Sequence, residues 1–244
     1  MTDVRVAPVR YPEEGPKEVP QNDLHFTWLI FLRENLRAVF AGRDDVYISA
    51  DSYWYPVEGH REESLATDVY VVVGRPPGDR SSYLQWLEKG IAPLVTIEVL
   101  SPSNYTPEGR RRLADKLERA ERFGVEEYLE IDPLFGTLSV WERQDGATEH
   151  LRSVPRWRSD RLNGVTFESR DGVLSVFDKN GAPFRTLAES EARAGAARTE
   201  AEAARTEAEA ARSQVAVEAA RADTQTARVE ALEAELAKLR GSAQ

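Results

Sequence analysis

The chain has 244 residues, 41% of them hydrophobic, which is enough for one large domain or two small ones with a packed core. It contains no cysteine, which excludes a disulfide framework and thiolate metal sites. A formal net charge of −10 argues against broad, non-specific adhesion to nucleic acid, although a local basic strip can still meet phosphates. The N-terminus lacks a signal-peptide pattern, and no apolar run approaches the roughly 20 residues that span a bilayer. We therefore expect a cytoplasmic protein without membrane contact.

The order of predicted elements indicates a mixed α/β domain over residues 23–185. Residues 1–22 are rich in proline and polar residues and predict a flexible N-terminal arm. A cap at Asn22-Asp23 and amphipathic spacing then predict a helix over 24–41. Later segments predict a short helix around 83–89 and a longer one over 107–123. Period-2 patterns and turn residues predict strands over 46–55, 66–73, 95–100, 127–131, 137–142, 165–168 and 173–177. We expect these strands to form one central sheet flanked by the helices.

Residues 186–244 have a different composition and predict a coiled-coil tail. The segment Ala-Arg-Thr-Glu-Ala-Glu-Ala at 197–203 is repeated at 204–210, which is a seven-residue period. The seam positions are mostly alanine and become Val and Leu only near the end, so association should be weak. A single solvated helix held by i,i+4 charge pairs is the alternative. We favour self-association through residues 187–240, as a homodimer or a higher homo-oligomer.

Two apolar strands each carry one acidic residue, Asp68 in the first and Glu98 in the second. An ionised carboxylate in a buried strand is costly unless a cation or a donor satisfies it. If the strands are neighbours and both acids face one side, the two carboxylates can hold a hard cation such as Mg²⁺. The alternative is structural: Asp68 begins its strand near solvent, and Glu98 pairs with an arginine.

The helix over 107–123 carries a lysine on its apolar side. On a helical wheel centred on Leu113, Lys116 lies within the apolar arc, whereas Arg112 and Arg119 lie at its border. Such a lysine either extends out past its neighbours or points at an anion in the sheet. Together with the two strand acids, it indicates a metal-dependent, phosphodiester-cleaving site. The three histidines, His25, His60 and His150, lack the spacing of a zinc site and are interpreted as surface or helix-packing residues.

Several of these segments together resemble the Uma family of restriction endonucleases, within the PD-(D/E)XK nuclease superfamily. The resemblance spans about residues 22–177 and excludes the heptad tail. It is carried by Thr67-Asp68-Val69, Ile97-Glu98-Val99-Leu100-Ser101-Pro102-Ser103, Lys116 and Phe123-Gly124-Val125-Glu126-Glu127-Tyr128-Leu129-Glu130-Ile131-Asp132-Pro133. The Glu-Val-Leu-Ser-Pro-Ser and Gly-Val-Glu-Glu-Tyr runs are specific together at this spacing, and weak separately.

The resemblance implies a restriction-endonuclease-like fold and a metal-dependent endonuclease acting on DNA. Asp68 and Glu98 would be the metal carboxylates, and the backbone carbonyl of Val99 would be a third ligand to Mg²⁺, or to Mn²⁺ as a substitute. Lys116 would be the active-site lysine, because the superfamily's usual position, two residues after the glutamate, is Leu100 here.

One departure from the family pattern weighs against full activity. Ala120 stands where relatives tend to have a tyrosine, one helical turn from Lys116.

The expected DNA-facing strip is Arg110, Arg112 and Arg119. The main alternative function is a catalytically inactive nuclease-fold interaction module that assembles through its coiled-coil tail. A weaker alternative is a metal phosphoesterase acting on small nucleotides.

Overall fold

The computed structural model describes residues 23–144 and 147–241, so the predicted arm over 1–22 lies outside the described residues. The chain forms two compact units, which divide between Thr186 and Leu187. Over its described residues, the first unit contains two long helices and ten strands. The helices are α1 (Asp23–Val39) and α2 (Pro107–Arg122). The strands are β1 (Val46–Tyr55), β2 (Leu65–Val73), β3 (Tyr83–Leu84), β4 (Val95–Val99), β5 (Glu127–Asp132), β6 (Thr137–Gln144), β7 (Ala147–Leu151), β8 (Arg156–Ser159), β9 (Val165–Arg170) and β10 (Val173–Phe177).

Seven strands form one mixed sheet in the order β3-β1-β2-β4-β5-β6-β7. Strands β4 and β5 are parallel neighbours, and α2 is the connection between them. Parallel neighbours cannot be joined by a tight hairpin, so this crossover lays α2 across the sheet. The predicted mixed α/β fold with a central sheet and flanking helices is confirmed.

The two faces of this sheet are buried by different elements. On one face, Val69 and Ile97 belong to a core with the α1 residues Leu29, Leu32 and Leu36. On the other face, buried aromatic side chains pack with α2 residues such as Ala120 and Leu117; these aromatics are Tyr47, Trp54, Tyr70, Tyr83, Tyr128 and Trp141. Alternate residues of a strand point to opposite faces, so Val69 packs on the α1 side and Tyr70 on the α2 side, and Asp68 follows at the end of the paired part of β2 and β4.

Three features of the first unit differ from the expectation. The short helix expected around 83–89 is absent; Tyr83–Leu84 instead form β3, parallel to β1, followed by turns. Tyr83 is fully buried and stacks on Tyr47, and this aromatic packing outweighs the local helical pattern. The last three strands form a separate antiparallel sheet in the order β10-β9-β8, packed into the core on the α1 side. Strands β7 and β8 were not predicted from the sequence.

The second unit is one helix, α3 (Leu187–Gly241), of 55 residues. Its side chains are exposed throughout the part whose burial is described, residues 187–235. This agrees with the prediction of a long C-terminal helix. No helix among the described residues combines the length and apolarity needed to cross a membrane.

Candidate active site

The two strand acids lie opposite each other on neighbouring antiparallel strands. Val69 of β2 pairs with Ile97 of β4, and one step further along this register places Asp68 opposite Glu98. Glu98 accepts a hydrogen bond from Lys116 of α2, and the Asp68 carboxylate is close enough to raise the pKa of the same lysine. The backbone ladder stops before this pair, and the Val99 N–H donates instead to Asp68 Oδ2 at 2.8 Å. The carboxylate has therefore replaced a backbone acceptor at the point where the strands separate.

Lys116 reaches this pair of acids from α2. Its Nζ lies 2.5 Å from Glu98 Oε2, and the Glu98 side chain is only 3% exposed. Burial raises the pKa of Glu98 to about 8, although the Lys116 ammonium acts in the opposite direction. Burial lowers the pKa of Lys116, but the Glu98 and Asp68 carboxylates outweigh it and raise that pKa above its ordinary value of 10.5. The site thus holds a permanently charged ammonium against a carboxyl group whose ionisation depends on its surroundings.

The Ser-Pro segment explains how α2 is placed over β4. After β4 ends, the Ser101 N–H donates to Asn104 Oδ1 at 2.8 Å, and Thr106 Oγ1 caps α2 by accepting from the Gly109 N–H at 3.0 Å. Gly109 is required at this corner, because a Cβ there would lie 2.1 Å from the Ser103 carbonyl oxygen. This compact turn fixes where α2 begins relative to the end of β4. It therefore fixes the position of Lys116 over Glu98.

His25 is a member of this site that the sequence pattern did not identify. It lies in the first turn of α1, is 7% exposed, and places Nε2 at 3.4 Å from Asp68 Oδ1. Burial lowers its pKa, but hydrogen bonds with the Asp68 carboxylate and the Val99 backbone outweigh it, so the pKa lies above 6.5. The interpretation of His25 as a surface or packing residue was therefore incomplete. Its spacing with Leu29, Leu32 and Leu36, on the buried stripe of the helix, was the available signal.

The donor atoms gathered here suit a hard cation. Asp68 and Glu98 offer carboxylate oxygens, and the N–H and C=O of one strand residue point to the same edge, so the Val99 carbonyl faces the Asp68 side. Mg²⁺ is commonly bound by one or two carboxylates with the remaining positions left to water and substrate. Within the described residues, no group of three or more His, Cys, Asp or Glu side chains is arranged to hold a metal ion, so two carboxylates and one backbone carbonyl would be the protein's whole share of such a site.

The three α2 arginines predicted to face DNA have different surroundings. The Arg119 guanidinium donates to the Ser64 carbonyl at 2.8 Å and to Asp115 at 2.6 Å, which ties α2 to the start of β2. Arg112 forms an exposed i,i+4 pair with Glu108. Arg110 has no ion pair within the described residues and lines a groove of 460 Å³ between α2 and the sheet.

That groove lies beside acidic residues of neighbouring strands in the sheet. Its lining includes Arg110, Arg152 and Glu130, and Glu130 pairs with Glu98 in the register of β4 and β5. Burial raises the pKa of Glu130 to about 7, and the positive charges of Arg152 and Lys116 act against the rise. The groove therefore brings two guanidinium groups to the edge of the candidate site.

Glu127, from a run that carries the family resemblance, and Ala120, a departure from the family pattern, both serve the fold rather than the site. The buried Glu127 carboxylate accepts from Trp157 Nε1 at 3.1 Å and from Ser159 Oγ at 3.0 Å, so it joins β5 to the second sheet. Ala120 is fully buried in the aromatic core beside Tyr128, and the Tyr128 hydroxyl has no hydrogen-bond partner within the described structure. Alanine at this position thus packs against the sheet and contributes no polar group.

The fold and the cluster define a mixed α/β domain of the restriction-endonuclease-like class, with two opposed strand acids and a lysine supplied by the crossover helix. Residues 12–169, well over half of the chain, match the family model Uma2, described as "Putative restriction endonuclease", and the chain belongs to this family. This confirms the resemblance.

The chain is also similar to solved structures. One of them is described as a "putative nuclease" belonging to DUF820 from Anabaena variabilis, and the two share 18% identity with a TM-score of 0.39. The match covers 59% of this chain and 74% of that one. No curated protein matches the sequence significantly.

Proposed function

We propose that the protein is a metal-dependent endonuclease that hydrolyses phosphodiester bonds in DNA, with Mg²⁺ as its ion and Mn²⁺ as a substitute. The observation that carries this proposal is the convergence of Asp68, Glu98 and Lys116 where the pairing of β2 and β4 ends, with Nζ to Oε2 at 2.5 Å. Membership of the Uma2 family supports nuclease chemistry in general. The metal and the DNA substrate are inferred from the donor set and from the resemblance.

The residues of the site have distinct roles in this proposal. Asp68, Glu98 and the Val99 carbonyl would hold the ion. A bound divalent cation polarises phosphoryl oxygens and lowers the pKa of water. Lys116 keeps an ammonium in a partly buried position, 23% exposed, where it can stabilise negative charge that develops on the phosphate during hydrolysis. Burial strengthens this electrostatic effect relative to bulk water.

The test is a cleavage assay on supercoiled plasmid with Mg²⁺ or Mn²⁺. We compare the wild type with Glu98→Gln, which keeps the side-chain volume but removes the ionisable carboxyl group. Glu58→Gln is the matched control, because Glu58 is exposed in the turn after β1. We expect nicking or linearisation by the wild type and by the control, and its loss in Glu98→Gln. Cleavage that persists in Glu98→Gln would contradict the proposal.

The second candidate is a catalytically inactive module that binds a partner through this fold. Two observations favour it: the Lys116 ammonium already donates a hydrogen bond to Glu98, and Arg119 and Arg112 are engaged within the protein. The absence of both cleavage and metal binding in the wild type would support this candidate. Partner binding would then be independent of Asp68 and Glu98.

We further propose that the protein self-associates through α3, as a homodimer or a higher homo-oligomer. The exposed side chains over 187–235 and the exact seven-residue repeat support this. A two-fold dimer would present two copies of the site, an arrangement suited to cutting both strands of a duplex.

A further inference from the structure

We propose that His25 is a positioning residue, which fixes the Asp68 carboxylate for cation binding and so makes α1 a structural part of the site. This inference rests on the proposed metal-dependent function and assigns a role that neither the family match nor the strand pattern indicates. His25 acts through Asp68 and not on the substrate.

The contacts of the Asp68 carboxylate support this role. Its Oδ2 accepts the Val99 N–H at 2.8 Å, and its Oδ1 lies 3.4 Å from His25 Nε2. The two oxygens are thus held by two different elements, β4 and α1. A carboxylate restrained at only one oxygen can rotate about its last bond, whereas one restrained at both keeps a single orientation. Each oxygen retains a second lone pair for a cation.

The Val99 backbone provides a second connection. His25 also hydrogen-bonds to the backbone of Val99, and because the Val99 N–H already donates to Asp68, the acceptor is the Val99 carbonyl. The imidazole therefore contacts two of the three groups assigned to the ion. Partners of this kind orient metal ligands, and their loss commonly reduces metal affinity by about 10–100-fold.

The position of His25 on α1 is otherwise a position for an apolar side chain. It shares the buried stripe of the helix with Leu29, Leu32 and Leu36, whose exposures are 2%, 0% and 0%. A buried polar ring is costly unless it is hydrogen-bonded. If this position served packing alone, leucine would be the more stable choice. The other two histidines, His60 and His150, have exposed side chains.

The test is Mn²⁺ binding by calorimetry on the full chain, without DNA. His25→Leu keeps a similar volume and does not lower the helix propensity, but it removes the donor, whereas His25→Gln places an amide donor near the position of Nε2. His150→Leu is the matched control, because the His150 side chain is 45% exposed and lies on β7, which three strands separate from the β2 strand of Asp68. We expect at least a tenfold loss of affinity in His25→Leu, most of it recovered in His25→Gln, and none in the control.

Three outcomes would overturn the proposal when the wild type binds Mn²⁺. Unchanged affinity in His25→Leu would show that Asp68 is positioned without the imidazole. Increased affinity would show that the imidazole occupies the place of the ion and competes with it. A purely structural role predicts reduced melting temperatures in both His25 variants without recovery of affinity by glutamine, and this result also contradicts the proposal.

A measurement on the metal-free protein separates this proposal from the proposed function. If the wild type binds no Mn²⁺, the metal-dependent function fails, and a double-mutant cycle of His25→Leu with Asp68→Asn then decides the positioning role. We expect the effects on the unfolding equilibrium constant to be non-additive by about tenfold, as for residues in direct contact. Additive effects would overturn the assignment of His25 to Asp68.

Discussion

Lys116 and Glu98 form a buried ion pair between the crossover helix and the strand before it, with Nζ 2.5 Å from Oε2. The strand itself has Leu100 where a lysine would stand in the usual superfamily arrangement. The positively charged side chain is instead Lys116 of α2. The position of α2 over the sheet is fixed by the Ser101–Asn104 turn and the close approach of Gly109. The position of one lysine therefore depends on the geometry of the whole β4–α2 connection.

The first prediction concerns Lys116→Ala. We expect plasmid cleavage to fall by about 100-fold or more, because a preorganised charge at the site of developing negative charge is removed. Mn²⁺ affinity should change much less, since the oxygen donors remain. Cleavage rate and Mn²⁺ calorimetry measure the two effects separately. Lys179→Ala, which removes an exposed lysine, is the control and should leave both unchanged. Equal cleavage by Lys116→Ala and the wild type would refute the assigned role.

The second prediction separates the three α2 arginines. Arg119→Ala should lower the free energy of unfolding by about 2 kcal/mol, because hydrogen bonds from a charged group to Ser64 and Asp115 are lost. Arg110→Ala should leave stability unchanged and weaken binding to a labelled duplex, with a slope of log K against log salt smaller by about 0.9. Arg112→Ala should have a smaller effect on DNA, because its charge is paired with Glu108.

Fluorescence anisotropy without divalent metal and chemical denaturation measure these two properties of the arginine variants independently. An Arg119→Ala variant with normal stability and weakened DNA binding would contradict the structural role given to that side chain. A normal salt slope in Arg110→Ala would exclude it from phosphate contact.

The third prediction is a pH dependence of stability due to Glu127. Burial raises the pKa of Glu127 above its ordinary value of 4.5, and the hydrogen bonds from Ser159 and Trp157 only reduce the rise. The folded protein therefore takes up this proton at a higher pH than the unfolded chain does. The resulting stabilisation is complete below pH 4.5 and is lost as the pH rises through the folded pKa.

Comparison of the wild type with Glu127→Gln isolates this effect, because other carboxylates contribute equally to both. The stability of the wild type relative to Glu127→Gln should increase as the pH falls from 7 towards 4.5, by at most about 1.4 kcal/mol per pH unit. Urea denaturation at a series of pH values measures it. A relative stability that is constant or that decreases over this range would contradict the raised pKa.

The fourth prediction tests the corner that places α2. Gly109→Ala should destabilise the first unit by about 2 kcal/mol, because the new Cβ meets the Ser103 backbone at 2.1 Å. All five tryptophans lie before Leu187, so their fluorescence reports the unfolding of this unit alone. Gly195→Ala is the matched control in α3, with nothing within 4 Å of its added Cβ. Equal melting curves for Gly109→Ala and the wild type would contradict the close approach.

Much of the candidate site was predictable because its chemistry is local. A single acid in an apolar strand marks Asp68 and Glu98, and helical periodicity alone places Lys116 on the inner face of α2. These signals depend on residues a few positions apart. For these residues to form one site, the two strands only have to be neighbours, and the β2–β4 register shows that they are.

The parts that were missed depend on contacts between residues distant in the sequence. His25 and Asp68 are brought together by the docking of α1, and Glu127 meets Ser159 only after the second sheet packs on the core. Arg119 has a basic, solvent-facing pattern in the sequence, but its partner is a backbone carbonyl of Ser64. A backbone acceptor leaves no trace in a side-chain pattern, so such a pairing cannot be inferred from sequence.

The fifth prediction concerns the self-association of α3. In a parallel, in-register pair, the flanking positions of the heptad place Glu200 opposite Arg205 and Glu207 opposite Arg212 of the second copy. The strongest apolar seam residues with described side chains, Val229 and Leu232, are 54% and 53% exposed in the single chain. Covering them supplies the hydrophobic contribution that the alanine layers provide only weakly.

Sedimentation velocity on the full chain tests this arrangement. We expect a concentration-dependent species of twice 27.4 kDa in the wild type, because alanine seams give weak association. The double variant Val229→Glu, Leu232→Glu should remain monomeric, since it places like charges in the seam. The control Ala231→Glu, Ala234→Glu adds the same charges on the outer face of the same turns and should still associate. A monomeric wild type, or a seam variant that associates like the control, would leave α3 as a single solvated helix held by its own charge pairs, such as Arg205 with Glu209.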